Sequence, residues 1–243
     1  MQGGLLEHLT SVARSLTPEK LASMIDHTLL NPLSTTDKAL RLIEETARHG
    51  FACAMVPPSL VRHVHPYARD AGARLCTVIG FPSGFIPGEA KAVEARLVSG
   101  YVDELDVVAP LWAAAEGDYS YVVEELSTII EEARGSGVKI VKVIVEAPLV
   151  DDEALVLLVK ASKEAGADFV KTSTGVYSKG GDPATVLRLS SVAKPHGLEV
   201  KAAGGIRTGL DAVLAIAAGA SRIGTSSGVR VLESFRELIG EKA

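Results

Sequence analysis

The sequence is poor in cysteine, tryptophan and aromatic residues generally: of 243 residues, two are cysteine, one is tryptophan and 5% are aromatic. Two cysteines cannot build a disulfide framework. Cys53 and Cys76 each lie in an apolar strand-like run without metal-type spacing, so reduced, buried thiols are expected. No basic run occurs, and the net charge of −5 with a pI near 5.7 excludes a nucleic-acid or anionic-membrane surface. The longest uncharged stretch, residues 75–88, is broken by glycine and proline and is too short to span a bilayer. A signal-peptide centre is also missing. The first sixteen residues place Leu5, Leu6, Leu9, Val12, Ala13 and Leu16 at helical spacing, with Glu7 and Arg14 interrupting them, which reads as an amphipathic helix. Nothing resembles a linker. One domain over residues 1–243 is expected, with residues 1–22 as an N-terminal helical extension and a cytoplasmic location.

What is present is an apolar share of 47%, enough for a large core, and a recurring glycine. Gly50, Gly72, Gly100, Gly137, Gly166, Gly197 and Gly219 each follow a helix-like segment and precede an apolar run, as glycine does at the left-handed position past a helix end. The runs at 51–56, 74–79, 102–108, 138–145, 168–172, 198–202 and 221–224, with 24–29 before the first glycine, make eight strands. Helical segments are expected at 36–49, 59–71, 88–99, 119–134, 151–165, 182–195, 208–218 and 226–239. Thr17-Pro18, Pro57-Pro58-Ser59 and Asp182-Pro183 supply caps or early prolines. Eight strand-then-helix units predict an α/β TIM (β/α)₈ barrel with an additional N-terminal helix. A doubly wound open sheet needs fewer units, and no Gly-x-Gly-x-x-Gly turn follows the first strand.

In such a barrel, function is built where the strands end. Alternation places Lys171 on the side of Phe169, Lys201 with Glu199 and Ala203, Lys142 with Ile140 and Ile144, and Asp106 with Glu104 and Val108. If these sides face the lumen, three lysines and a carboxylate converge, and burial with mutual repulsion depresses the pKa of at least one lysine. A neutral lysine attacks an aldehyde or ketone to give an imine, an electron sink for making or breaking a carbon–carbon bond. A single strand lysine would more often be a snorkelling chain or half of an ion pair; three together with Asp106 are harder to explain that way. Asp106 either neutralises a lysine or also relays protons through a water.

A second constellation suits phosphate. Gly204-Gly205-Ile206-Arg207 follows strand seven, and Gly224-Thr225-Ser226-Ser227-Gly228 follows strand eight and opens a helix, where glycine-freed amides and a helix N-terminus make an anion site. Asp26-His27-Thr28 ends strand one; alone it is compatible with a structural Asp26 and an outward His27. His49, His63, His65 and His196 lack ligand spacing, so no metal is expected.

The runs Asp26-His-Thr-Leu-Leu, Thr77-Val-Ile-Gly-Phe-Pro, Asp103-Glu-Leu-Asp106, Lys142-Val-Ile-Val-Glu146, Phe169-Val-Lys171-Thr-Ser-Thr-Gly175 and Val200-Lys201-Ala-Ala-Gly-Gly-Ile-Arg207 resemble the deoxyribose-phosphate aldolase family from strand one to the chain end. The resemblance implies a class I aldolase that reversibly cleaves 2-deoxy-D-ribose 5-phosphate to acetaldehyde and D-glyceraldehyde 3-phosphate. Lys171 would form the Schiff base, Lys201 would lower its pKa and Asp106 would relay protons. Asp26, Thr28, Lys142, Thr172, Gly204, Gly205, Ser226 and Ser227 would contact a small sugar phosphate, without metal or organic cofactor, in a homo-oligomer. Strand two departs from the family, ending Met55-Val56-Pro57-Pro58 where Cys-Val-Asn-Pro is frequent, and residues 238–243 carry no tyrosine, which leaves proton transfer to the barrel. Another class I aldolase or a transaldolase would share the imine with a different donor, and a non-catalytic sugar-phosphate binder would need an inert Lys171.

Overall fold

The computed structural model describes residues 2–241. Two helices, α1 (Gln2–Ser15) and α2 (Pro18–Ala22), precede the strands. The strands are β1 (Ile25–Thr28), β2 (Cys53–Met55), β3 (Leu75–Ile79), β4 (Glu104–Val108), β5 (Ile140–Ile144), β6 (Phe169–Lys171), β7 (Glu199–Ala203) and β8 (Arg222–Thr225). All pair in parallel in chain order, and β8 closes on β1, so the expected (β/α)₈ barrel is the observed one.

Around it run α3 (Thr36–His49), α4 (Val61–Asp70), α5 (Gly88–Ser99), α6 (Leu111–Ala115), α7 (Tyr119–Gly135), α8 (Asp152–Glu164), α9 (Pro183–Ala193), α10 (Gly209–Ala217) and α11 (Gly228–Leu238). Side-chain caps start five of them, α3 and α7 to α10. Thr35 accepts from Lys38 N, Asp151 from Ala154 N and Asp182 from Thr185 N, and Thr208 forms a capping box with Asp211. The expected helix at 59–71 is a 3₁₀ turn, Pro58–Leu60, running into α4. The five-residue α6 was not expected: no side chain caps it, and its Leu-Trp-Ala-Ala-Ala run is too short to show a period.

Six of the seven helix-closing glycines have positive φ, but Gly100 has φ −69 and leaves α5 in the right-handed region. There the turn closes through Tyr101 N to Val98 O, so no left-handed residue is required. The outward faces of the strands, among them Leu105, Val141, Val143, Val170 and Ile223, are sealed under the helices, each such side chain contributing about 1.5–3 kcal/mol. Val12 and Ala13 of α1 and Leu16 join this core, while the side chains of Leu5, Leu6 and Leu9 lie outside the described residues.

Inside the barrel lies a small apolar cluster, Cys53, Met55, Cys76 and Val78 under Leu30 and Phe81. The two cysteines, expected as free thiols, are joined in a disulfide with Cα atoms 6.1 Å apart. Met55 is the register partner of Cys76, so Cys53 approaches it diagonally from the neighbouring strand. Both point into the same interior. The sequence separation of 23 hid that proximity, which comes from barrel closure. Among the described residues, no helix is long and apolar enough to cross a membrane.

Candidate active site

Beside that cluster the barrel interior holds a charged ring. Asp106 on β4 accepts from Lys142 of β5 on Oδ1 (3.0 Å), and from Lys171 of β6 (2.9 Å) and Lys201 of β7 (2.7 Å) on Oδ2. Lys142 also lies 2.6 Å from Glu104 Oε2. Arg222 of β8 reaches Glu104 Oε2 at 3.2 Å and donates to Asp26 Oδ1 of β1 at 2.7 Å. Asp26 Oδ2 stands 2.5 Å from Lys201 Nζ, an ion contact without a directed hydrogen bond. Read in sequence, Asp106, Lys142, Glu104, Arg222, Asp26 and Lys201 alternate in sign and close on themselves. Three carboxylates balance three cations. Lys171 hangs from Asp106 as a fourth cation with no carboxylate of its own.

That position decides its charge. Burial pulls Lys171 down to about 8, with Lys201 and Lys142 adding repulsion and Asp106 opposing the fall. Burial alone would also depress Lys142, but Asp106, Asp26 and Glu104 outweigh it and raise that lysine above its ordinary value. Burial would likewise raise the two aspartates. Lys201, Lys142 and Arg222 instead hold Asp26 at about 2, and the three lysines hold Asp106 well below the carboxylate range. The amine drawn down is thus the one that lines the cavity. Gly224 of β8 gives the Lys201 stem its room, since a Cβ there would lie 3.0 Å from Lys201 Cε.

Above the ring lies a cavity of about 320 Å³, lined by Thr28, Phe81, Lys171 and Val176 and by the loops after β7 and β8. Of the ring and its pendant lysine, only Lys171 lines it. Gly204 and Gly205, both with φ above 90, line it together with Arg207 and Ser226. Ser227 stands at the N-cap of α11 without a side-chain cap bond, which leaves the first amides of that helix open toward an anion.

The remaining expected contacts sit elsewhere. Asp26 and Lys142 are buried in the ring, beneath the cavity lining. The Thr172 hydroxyl is occupied across the barrel wall, donating to Ala203 O and accepting from Ala203 N. His27 turns outward to Glu45 of α3 at 2.7 Å.

Three side chains lacked a role in the sequence reading. Glu104 shares the inward parity of Asp106, and Arg222 shares that of Gly224, so parity alone could have flagged both. Glu146 is the third. It follows β5, is buried, and has φ 44, the one positive φ outside glycine among the described residues. Its carboxylate accepts from Thr174 N (2.9 Å) and Ser178 Oγ (2.6 Å), pinning the β6–α9 loop that roofs the cavity.

The DeoC/LacD family aldolase profile matches residues 20–234. The chain belongs to this family of aldolases. It is 53% identical over 224 residues to the deoxyribose-phosphate aldolase of Aeropyrum pernix, covering 92% of this chain and 93% of that one. Identity to the Thermococcus gammatolerans deoxyribose-phosphate aldolase is 42% over 219 residues, covering 89% and 96%. The solved tetrameric A. pernix enzyme superposes with a TM-score of 0.89 at 52% identity, over 95% of this chain and 97% of that chain. Among the described residues, Lys171 is the lysine that lines the cavity of this DeoC/LacD aldolase.

Proposed function

We propose that the protein is a class I aldolase that reversibly cleaves 2-deoxy-D-ribose 5-phosphate to acetaldehyde and D-glyceraldehyde 3-phosphate, serving deoxyribose phosphate catabolism. The observation that carries this reading is the single lysine at the mouth, held near neutrality above a balanced ring. Lys171 attacks C1 of the open-chain sugar and, with loss of water, becomes an imine. Its positive nitrogen draws the electron pair of the C2–C3 bond as that bond breaks. A water held by Asp106 and Lys201 beside the imine takes the C3 hydroxyl proton, D-glyceraldehyde 3-phosphate leaves, and the enamine is protonated at C2. Hydrolysis then returns acetaldehyde and free Lys171.

The phosphate end is assigned to Gly204, Gly205, Ser226 and Ser227, whose loops border the cavity. Asp26 and Lys142 act from the ring and Thr172 by fixing the strand end; Thr28, at the cavity wall, contacts the sugar. Activity is assigned to a homo-oligomer in the cytoplasm. The A. pernix relative is described as tetrameric, and Leu210, Leu238 and Ile239 leave exposed apolar surface beside α1. The Cys53–Cys76 bridge is compatible with that compartment, because both sulfurs are sealed inside the barrel and exchange needs an attacking thiolate to reach them. The test is a retro-aldol assay: 2-deoxyribose 5-phosphate should release acetaldehyde, and donors built on dihydroxyacetone or its phosphate should not react. Preference for a dihydroxyacetone donor would assign the imine to a different aldolase.

A further inference from the structure

Arg222 and Glu104 open β8 and β4 at the end of the barrel away from the cavity, and neither lines it. They nevertheless close the ring: Arg222 bridges Glu104 at 3.2 Å and Asp26 at 2.7 Å, and those two carboxylates contact Lys142 at 2.6 Å and Lys201 at 2.5 Å. Each lysine in turn meets Asp106, the one carboxylate that touches Lys171. Arg222 and Glu104 thus add a third cation and a third anion to the two lysines and two aspartates already paired beneath Lys171. We propose that Arg222 and Glu104 are positioning residues that set the protonation of Lys171 through the ring to which it is attached, Arg222 favouring its neutral, nucleophilic form and Glu104 opposing it. This inference rests on the aldolase reading for its purpose, but not for its test.

The groups facing Lys171 are enumerable. Beneath it, Asp26 comes from β1, Glu104 and Asp106 from β4, Lys142 from β5, Lys201 from β7 and Arg222 from β8, and Arg207, from the loop after β7, lines the cavity above. On the β2 and β3 side stand the Cys53–Cys76 disulfide, Met55 and Val78, which do not titrate. Arg74 approaches Glu104 only to 4.0 Å from an exposed position, where solvent screens it.

The charge count makes predictions of opposite sign. Without Arg222, three carboxylates face two lysines, and a protonated Lys171 completes the balance. Without the Glu104 charge, three cations face two carboxylates, and protonating Lys171 becomes harder still. Removing both charges leaves two against two, the balance of the unaltered ring.

The experiment measures Lys171 alone. The full-length protein and its variants are pulsed with acetic anhydride across a pH series, and acetylation of the Lys171 peptide is quantified by mass spectrometry. Arg222→Met should raise the labelling midpoint by about one pH unit and Glu104→Gln should lower it, as expected for loss of one like and one unlike charge, respectively, in a buried cluster. The double variant should return the midpoint to its original value, and Arg222→Lys, which retains the charge, should leave it in place. Arg222→Met should also slow imine formation near neutrality about tenfold, in step with the smaller neutral fraction. If Arg222→Met fails to fold, Glu104→Gln, the double variant and Arg222→Lys still carry the test. Shifts of the same sign in both single variants, unmoved midpoints, or a double variant that stays displaced would overturn the proposal. Labelling needs no substrate. Immobile midpoints in an active aldolase would reject this inference alone, while shifting midpoints in a protein that forms no acetaldehyde imine would reject the aldolase reading alone.

Discussion

Lys171 and Lys201 are register partners on adjacent strands, and both donate to the same oxygen, Oδ2 of Asp106. Two ammonium groups on one carboxylate oxygen repel each other. Lys201 has Asp26 as a second anion 2.5 Å away, whereas in Lys171 Asp106 alone opposes the effect of burial. Asymmetry in carboxylate supply, rather than any difference in the lysines, sets the two positions apart.

Activity should therefore follow the neutral fraction of Lys171. With its pKa brought down to about 8, kcat/KM should climb with rising pH and level off above that value, where a lysine at its ordinary value would still be climbing. A pH–rate profile in a constant-ionic-strength buffer checks this.

Stability in acid has the opposite origin. Asp26 and Asp106 are depressed in the folded state, Asp26 to about 2 from an unperturbed 3.8. Their contribution is full above the unfolded value and is lost as pH falls through the folded one. Thermal midpoints should hold down to the unperturbed value and then decline toward pH 2.

Replacing Asp106 by Asn removes the charge shared by three lysines. Breaking so buried a cluster should cost about 3–5 kcal/mol of stability, and loss of the proton relay should lower kcat by at least about a hundredfold. Calorimetry and steady-state rates of the same preparation report the two effects separately.

Gly224→Ala tests close packing instead of charge. The added methyl, 3.0 Å from Lys201 Cε and 3.1 Å from Ala203 Cβ, should push the Lys201 ammonium off Asp106. A loss of kcat of about ten- to a hundredfold is expected, with the fold retained by circular dichroism.

Glu146→Gln loosens the roof. An amide cannot accept at both ends, so either Thr174 N or Ser178 Oγ loses its acceptor. KM for the sugar phosphate should rise about tenfold, or 1.4 kcal/mol, while the pH profile set by Lys171 stays unchanged.

Much of this architecture was readable from spacing. Strand parity placed Asp106, Lys142, Lys171 and Lys201 on one side of their strands, and the strand–helix count gave barrel closure. Closure is also what the linear chain conceals. It brings Cys53 against Cys76 as a disulfide where free thiols were expected. It also sets Arg222 beside Asp26, 196 positions apart, so the ring holds three carboxylates instead of one. Asp26, Lys142 and Thr172 were recognisable as special residues, yet their partners lie on other strands, and only those partners reveal that they brace the site from below or from the wall. Gly100 was misread for a local reason, because a helix can end on a right-handed glycine when the next amide closes the turn.

The central claim is that Lys171 is a nucleophile which takes an acetaldehyde unit. Borohydride reduction of the protein with and without acetaldehyde, followed by peptide mass spectrometry, tests it directly. The account predicts a reduced two-carbon adduct confined to the peptide containing Lys171 and absent from a Lys171→Met variant. No adduct, or adducts scattered over surface lysines with Lys171 unmodified, would contradict it and leave a charged barrel with a phosphate-shaped cavity and no imine chemistry.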